Sequence, residues 1–376
     1  MKRALVPYFN IGLGHFAFAR SIKKAFESLP EPWEVNLLDM GREMPGDRLQ
    51  NTYVESWKKI LAAPPAVKSM LFGLNRLAPW SISLGIARLN SKSSQAAGEL
   101  LRQSAPDAIV ACHWGAAHVL HRARKDAGID VPLFYVYGEV AGIVPQIRSG
   151  ADTYFYMTDE AREALLGIGV LPEQLAEIGF VLQPGLELEL PDRADSRREL
   201  GLDEDRFTVL IAFGGEGIGN AYPFLDYFRQ QGTAQILVLT GKNRAFFESL
   251  KTRYPDRPGV PRIVPSGYIP DIRTAYAAAD VLSGKCGASF AMEAVRYHRP
   301  LLITGLGAPN EGHNRDYIVD HGYGSYVPRP AQFAAEIERL SSDPDAYRAA
   351  LEPFAVTRPH SGAEDIVNFV VNRIGR

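Results

Sequence analysis

Short apolar runs alternate with amphipathic helical stretches along most of this chain, and several of the runs open directly into glycine-containing loops. In the first half, Arg3–Phe9 reads as a strand, His15–Ser28 as a helix and Trp33–Leu38 as a second strand. Further strands are expected at Ala108–Cys112, Pro132–Tyr137 and Thr153–Met157. The pattern then restarts: Thr208–Phe213, Gln235–Leu239, Val281–Ser283 and Pro300–Thr304 read as strands, each with a helix behind it. A helix after each strand carries the chain back to the edge it started from, so the alternation predicts βαβ units, parallel sheets and an α/β fold.

A chain of 376 residues is long enough for two domains at roughly 100–200 residues each. Periodicity lapses over Gln183–Asp195, where Pro184, Gly185 and Pro191 stand among acidic residues, so the linker is placed there. The expected division is an N-terminal domain over 1–183 and a C-terminal domain over 184–358, with Pro359–Arg376 a closing helix that returns to the first. Two Rossmann-like halves of this kind imply a central cleft, a common place for ligands.

Charge narrows the partners. With 41 Lys and Arg against 43 Asp and Glu the net charge is −2, which argues against a nucleic-acid coat. Cys112 and Cys286 are the two cysteines, too few and too far apart for a disulfide framework. The longest uncharged runs are Ala4–Ala19, 16 residues with Pro7, Asn10 and His15, and Ala108–His121, 14 residues with three histidines and a Trp, both short of the roughly 20 apolar residues that span a bilayer. The expected location is therefore cytoplasmic, or peripheral on the inner face of a membrane. The average conceals a segregation: Tyr53 to Arg102 carries seven Lys or Arg and only Glu55 and Glu99 as acids. Val67, Met70, Leu71 and Leu74 share one helix face there, and Trp57, Phe72 and Trp80 add aromatic bulk. Such a segment is either a helical insertion whose apolar face joins the core or an interfacial element seated in an anionic leaflet.

Four loops carry chemistry. Gly12-Leu13-Gly14-His15 follows the first strand and opens a helix; glycines there admit a ligand to the backbone and the helix start offers amide donors. A dinucleotide fingerprint would need a third glycine, and Ala17 stands in its place. His15 suits either a general base near neutral pH or a structural cap. Phe213-Gly214-Gly215-Glu216-Gly217-Ile218-Gly219 puts four glycines between strand and helix, a natural nest for a diphosphate. Ser283–Ala294 repeats strand, glycine loop and helix, with Glu293 inside the helix, where a carboxylate complements the dipole or accepts from two ribose hydroxyls. Ala308-Pro309-Asn310-Glu311-Gly312-His313-Asn314 follows the next strand with side chains suited to sugar hydroxyls. Asp203-Glu204-Asp205 and Asp343-Pro344-Asp345 look like metal-binding strings but fall in loop or cap contexts, and are read as surface features.

Taken together, Gly12–His15, Phe213–Gly219, Gly267-Tyr268-Ile269-Pro270, Ser283–Ala294 and Pro309–Asn314 resemble glycosyltransferase family 28. That family includes the monogalactosyl- and glucosyl-diacylglycerol synthases and the lipid II N-acetylglucosaminyl transferase. The loop Gly214–Gly219 is similar to that of the diacylglycerol branch, and the resemblance covers most of 1–326, most strongly 207–324. It implies a GT-B architecture: two Rossmann-like domains, a lipid acceptor held by the N-terminal one and a UDP-sugar donor by the C-terminal one. It further implies inversion at the sugar, no catalytic metal, and no cofactor beyond the UDP-sugar co-substrate.

Carried over by position, the resemblance implies that His15 deprotonates the acceptor hydroxyl beside Gly12 and Gly14. Gly214, Gly215 and Gly217 would cradle the diphosphate with the Lys285, Gly287 and Ala288 loop; Glu293 would hold the ribose, and Tyr268 and Ile269 would flank the uracil. Asn310 and Glu311 would contact the hexose, with Asn314 supporting that helix start. The chain departs from the family's pattern in three places: Asn310 replaces a usual Gln, Cys286 enters a Lys-x-Gly pattern, and Tyr137-Gly138-Glu139 stands where the diacylglycerol enzymes show Thr-Asp. Glu139 is thus the candidate for that carboxylate's role. The expected function is transfer of a hexose from a UDP-sugar to a lipid hydroxyl, most readily diacylglycerol, at an anionic membrane surface and without nucleic acid. A UDP-sugar 2-epimerase, a transferase with a soluble acceptor and a non-catalytic UDP-sugar-binding subunit are the alternatives.

Overall fold

The computed structural model describes the chain outside residues 11–13, 45–54, 56–58, 60–66, 68–69, 71–92, 143–146, 213–220, 308–310, 357–359 and 376. It divides into two compact units, Met1–Glu187 with Ala308–His313 and His360–Arg376, and Leu188–Gly307 with Asn314–Pro359.

The first unit is built on β1 (Arg3–Tyr8), α1 (Gly14–Glu27), β2 (Glu34–Asp39), β3 (Ala108–Ala111), α2 (Trp114–Ala127), β4 (Leu133–Val136), β5 (Thr153–Tyr156), α3 (Asp159–Gly167) and β6 (Leu175–Glu177). Its strands form one sheet in the order β2-β1-β3-β4-β5-β6, and every pair is parallel. The central strands read as uninterrupted apolar runs because both faces are covered: all four residues of β3, β4 and β5 are buried. Helix α2 presents Ala116, Ala117, Leu120 and Ala123 to the core, small side chains that let it lie close to the strands. It ends at Gly128, whose φ of 65° is the left-handed cap geometry.

The C-terminal helix, which lies within Gly362–Ile374, belongs to this unit and packs on α1. Phe369 sets its ring edge-to-face against Phe134 and Phe155, at 6.1 and 5.3 Å. Gly362 lies so close to Gly179 that a Cβ there would sit 2.0 Å from the Gly179 carbonyl oxygen, and Asp365 accepts from the Gly179 amide at 2.7 Å.

The second unit repeats the plan with α4 (Arg193–Glu199), β7 (Thr208–Ala212), α5 (Tyr222–Gln231), β8 (Gln235–Leu239), α6 (Arg244–Arg253), β9 (Ile263–Ser266), α7 (Arg273–Ala278), β10 (Val281–Lys285), α8 (Ala288–Arg296) and β11 (Leu301–Gly305). It closes with α9 (Glu311–Asp320), β12 (Gly324–Tyr326), α10 (Pro330–Ser342) and α11 (Pro344–Leu351). The sheet order is β12-β11-β10-β7-β8-β9, again parallel throughout. Val209, Ile211, Ile236 and Val238 from the strands meet Leu225, Phe228, Phe333 and Ile337 from α5 and α10 in its core.

In both sheets the winding reverses once. The chain proceeds outward from β1 to β2 and then returns to place β3 on the other side of β1; likewise it runs β7, β8, β9 and returns to place β10 beside β7. Loops that leave such a reversal point diverge to opposite faces and open a crevice at the carboxyl edge, where α/β proteins bind ligands. At the second reversal Gly284 of β10 is required: a Cβ there would lie 2.3 Å from the Ala212 carbonyl oxygen of β7.

The structure adds to the sequence reading at the edges. β6, β9 and β12 are not announced by the sequence; they are three or four residues long, none is wholly buried, and all three are sheet-edge strands with a partner on one side only. Helix α4 begins inside the stretch read as linker, because Asp192 caps it by accepting from the Asp195 amide. Its buried face is Ser196 and Arg197, so no apolar periodicity announces it.

Arg197 is the largest fully buried side chain, 1% exposed, and its charge is met by Asp280 at 2.8 Å. Asp280 also pairs with Arg193, accepts from the Thr208 amide at 2.7 Å, and offers its own carbonyl to the Tyr347 hydroxyl at 3.1 Å. One residue thus ties α4 and β7, through its carboxylate, and α11, through its carbonyl, to the start of β10. Removing one partner of a buried pair strands the other charge, which costs about 3–5 kcal/mol. Asp280→Ala is expected to lower the unfolding free energy by that order in urea titrations, whereas Asp345→Ala, which removes an exposed pair with Arg348, should change it by under about 0.5 kcal/mol. Equal effects of the two variants would contradict the hub.

Candidate active site

Four side chains of the first unit follow the carboxyl ends of three adjacent strands. His15 opens α1 after β1, His113 and Trp114 follow β3, and Glu139 lies three residues beyond β4. The sheet order β1-β3-β4 therefore brings loops far apart in sequence to one edge.

His15 donates from Nδ1 to the Cys112 carbonyl at 2.8 Å. A carbonyl oxygen only accepts, so Nδ1 carries the proton and Nε2 of the neutral ring keeps its lone pair. Burial holds the ring's pKa below the usual histidine value and the Cys112 hydrogen bond opposes that in part. Near neutral pH this is an unprotonated imidazole with a defined tautomer, the state a general base requires. The Cys112 thiol is itself buried and pushed far up, so it remains protonated.

His113 has the opposite tautomer. It is the N-cap of α2, and its Nδ1 accepts from the Gly115 amide at 2.9 Å, which places its proton on Nε2. Its ring meets that of His15 edge-on, with centroids 4.8 Å apart and planes at 80°. Burial keeps it neutral well below the usual pKa, with the nearby His15 and His118 acting in the same direction. His113 is the site residue the sequence reading missed. Its signal was the uncharged run Ala108–His121, where a histidine directly after a buried strand stands in a helix-capping position.

The loop bearing Glu139 lies against α1: a Cβ on Gly138 would sit 2.7 Å from Cε2 of Phe18, one turn beyond His15. Tyr137, buried in front of it, has its hydroxyl pushed well up by burial and by the charge of Glu139.

In the second unit, Lys285 ends β10, Gly287 is the N-cap of α8 and Ala288 its first residue. With no side chain on the cap, the first amides of α8 are offered to a ligand at the reversal point. Glu293 is 5% exposed and accepts from the Tyr276 hydroxyl, which fixes one carboxylate oxygen and orients the other. Asn314 is fully buried and donates to the Cys286 carbonyl at 3.2 Å, tying α9 to the β10–α8 loop. Glu311 is the first residue of α9. Tyr268, just past β9, is 66% exposed with the Lys242 ammonium 5.8 Å from its ring centroid; Ile269 follows it.

Gly14 starts α1. Gly12, Gly214, Gly215, Gly217 and Asn310, with Trp57, Phe72 and Trp80 of the basic segment, lie outside the described residues. From that segment Val67 and Met70, one helical turn apart, are 40% and 59% exposed. No helix among the described residues is long and apolar enough to cross a membrane. The two acidic strings are engaged locally: Asp343 caps α11 through the Asp345 and Ala346 amides, and Asp203 accepts from the Asp205 amide at 3.1 Å.

No family model matches the chain. Among curated proteins it is 24% identical over 363 residues to the chloroplastic monogalactosyldiacylglycerol synthase of Spinacia oleracea, covering 90% of this chain and 66% of that one. It is 21% identical over 350 residues to the processive diacylglycerol beta-glucosyltransferase of Bacillus cereus (strain G9842), covering 91% and 86%. The chain thus spans about two thirds of the length of the plant relatives. Among solved structures, MurG of Acinetobacter baumannii aligns over 99% of this chain and 100% of its own with a TM-score of 0.65 at 15% identity. The S. aureus MnaA–UDP structure aligns over 100% and 97%, with a TM-score of 0.62 at 14% identity. The fold is GT-B, and the resemblance to the diacylglycerol branch of family 28 read from the motifs is borne out by these relatives.

The histidines set an acid limit on stability. A group whose pKa is lower in the folded chain than in the unfolded one contributes equally to both states above its ordinary pKa; as pH falls through that value, the unfolded chain takes up the proton first and gains. His15, His113, His121 and His298 are all lowered. Stability should therefore be level above pH ~6.5 and fall as pH drops below it, before the carboxylates titrate. Denaturant midpoints at pH 7.5, 6.5 and 5.5 check this; a midpoint that rises toward pH 5.5 would contradict it.

Proposed function

We propose that this protein is an inverting glycosyltransferase that moves a hexose from a UDP-sugar to a lipid hydroxyl, most readily that of diacylglycerol. The observation that carries the reading is the imidazole of His15, held by the Cys112 carbonyl with its Nε2 lone pair unprotonated at the reversal point of the first sheet. The lengthwise similarity to galactosyl- and glucosyl-diacylglycerol enzymes supplies the substrate class. UDP in neighbouring structures of the same fold supports the donor.

In this mechanism Nε2 of His15 takes the proton of the acceptor hydroxyl as its oxygen attacks the anomeric carbon. The new C–O bond forms on the face opposite the diphosphate, the bond from carbon to the phosphate oxygen breaks, and UDP leaves with the electron pair. The glycine amides of Gly214, Gly215 and Gly217, the start of α8 and the Lys285 ammonium disperse the charge on the leaving group. No metal ion enters this scheme. Glu293, oriented by Tyr276, receives the ribose hydroxyls; Tyr268 and Ile269 flank the uracil; Asn310 and Glu311 read the hexose. Glu139, in the loop packed on α1, is placed on the acceptor side.

The reading includes a peripheral position on the cytosolic face of an anionic membrane. The exposure of Val67 and Met70 supports it, since a helix face that joins the core buries such side chains. Epimerases share this fold, as UDP-N-acetylglucosamine 2-epimerase from Neisseria meningitidis does at a TM-score of 0.60 and 12% identity. They act on the donor alone, so the product separates the two readings.

Incubation of the protein with a panel of UDP-sugars, with and without anionic vesicles containing diacylglycerol, should yield a hexosyl-diacylglycerol by mass spectrometry and release UDP, undiminished by EDTA. His15→Ala should keep UDP binding and lose about 10²–10⁴-fold in transfer. An epimerised sugar nucleotide formed without lipid, or full activity in His15→Ala, would overturn the assignment.

A further inference from the structure

His113 has no part in the scheme above, yet its ring is in contact with the proposed base. It is 4% exposed, and three constraints fix it. The Gly115 amide donates to its Nδ1, Phe9 meets its ring edge-on at 4.8 Å, and Trp114 stacks on it at 5.3 Å with planes 28° apart. Even the residue it caps is constrained: a Cβ on Gly115 would lie 3.1 Å from His113 Nδ1 and 3.3 Å from the Phe9 ring. Helix caps are ordinarily Ser, Thr, Asp or Asn. A short polar side chain would serve the cap, so the cap alone does not account for an imidazole wedged among three rings.

What the imidazole adds is a rigid wall for His15. The neighbouring residue, Cys112, supplies the carbonyl that fixes the His15 tautomer, and His113 supplies a ring packed against that of His15 with centroids 4.8 Å apart and planes at 80°. The two anchors are consecutive residues at the end of one strand, so tautomer and orientation are set by one piece of backbone. We propose that His113 is a positioning residue for His15, holding its imidazole in a single orientation with Nε2 free to accept the proton of the incoming hydroxyl. This rests on the reading of His15 as the base.

The wall must also be uncharged, because a second imidazolium 4.8 Å away would compete with the proton His15 takes up. Burial does this, and the hydrogen bond from Gly115 blocks Nδ1 from protonation. Among the described residues, the titratable groups that face the pair are the Cys112 thiol just past β3 and His118 from α2, whose ring lies 6.0 Å from that of Trp114. Tyr8 of β1 and Arg20 of α1 bracket Phe16, the residue after His15, at 5.2 and 5.8 Å.

His113→Asn tests this, since its amide oxygen replaces Nδ1 as the cap acceptor while the ring is removed. The primary readout is NMR of 15N-labelled histidine in wild type and variant. Wild-type His15 should show the Nδ1–H tautomer and a titration below the ordinary histidine range. In His113→Asn water reaches His15, so its pKa should move up toward 6.5 and both tautomers should be populated. The transfer assay should show kcat down at least tenfold, KM for the UDP-sugar within twofold, and the acid limb of the kcat profile moved to higher pH. A residue that only capped α2 would leave both Tm and the His15 titration unchanged in this variant, since Asn keeps the cap. Unchanged His15 tautomer and pKa in a folded His113→Asn variant overturns the proposal, even if transfer is lost. If the variant does not fold, His113→Gln and Phe9→Ala, which loosens the wall from behind, carry the same expectation and the same refutation. Because the NMR readout needs no substrate, failure of wild type to glycosylate any lipid sinks the functional reading separately.

Discussion

In a parallel sheet every strand delivers its carboxyl end to the same edge, and everything chemical in this protein depends on that constraint. Where the winding reverses, the helices that follow two neighbouring strands go to opposite faces and leave that edge open. The chain makes one such reversal in each sheet, between β1 and β3 and between β7 and β10. At the first stand His15 and His113, almost 100 residues apart in sequence but with rings 4.8 Å apart; at the second stands the amide-rich start of α8. The glycines there have a steric reason for being glycine: Gly284 for the approach to Ala212, and Gly138 for the approach to Phe18.

Holding loops at that edge requires the opposite ends of the strands to be fixed, and the second unit does so with charge rather than with apolar packing. Asp280, at the amino end of β10, binds two arginines and a backbone amide while 2% exposed. A buried ion pair adds little net stability over apolar residues of the same volume. It does add direction: a planar guanidinium with its Nε on the Ala278 carbonyl and an Nη on Asp280 accepts one orientation of α4 against α7 and β10. The amino edge is thus built for position, and the carboxyl edge is left for ligand.

How much of this was legible in the sequence follows from what each element buries. Strands covered on both faces are continuous apolar runs, and Gln235–Leu239 is found to the residue, with Ala108–Ala111 and Thr153–Tyr156 each one residue shorter than read. Elements that bury little or bury polar groups left no trace: β6 and β12 lie at sheet edges, and α4 turns a serine and an arginine inward. The site was legible where backbone shape is the function, because a glycine loop after a strand announces itself. It was not legible where function lies in a contact across the sheet. Neither the carbonyl of Cys112 nor the ring of His113 has any sequence spacing to His15 that could be read.

That contact also decides the protonation state of His15. A carboxylate on Nδ1 would fix the same tautomer, but its negative charge would stabilise the imidazolium and raise the pKa. A backbone carbonyl fixes the tautomer with a dipole alone, and burial beside a neutral histidine then lowers the pKa instead. The result is an imidazole held neutral near neutral pH with its proton on Nδ1. At the reversal point of the other sheet stands the start of α8, whose cap residue Gly287 has no side chain. Two reversals of the same kind thus present different groups, a neutral imidazole in one sheet and a helix start in the other.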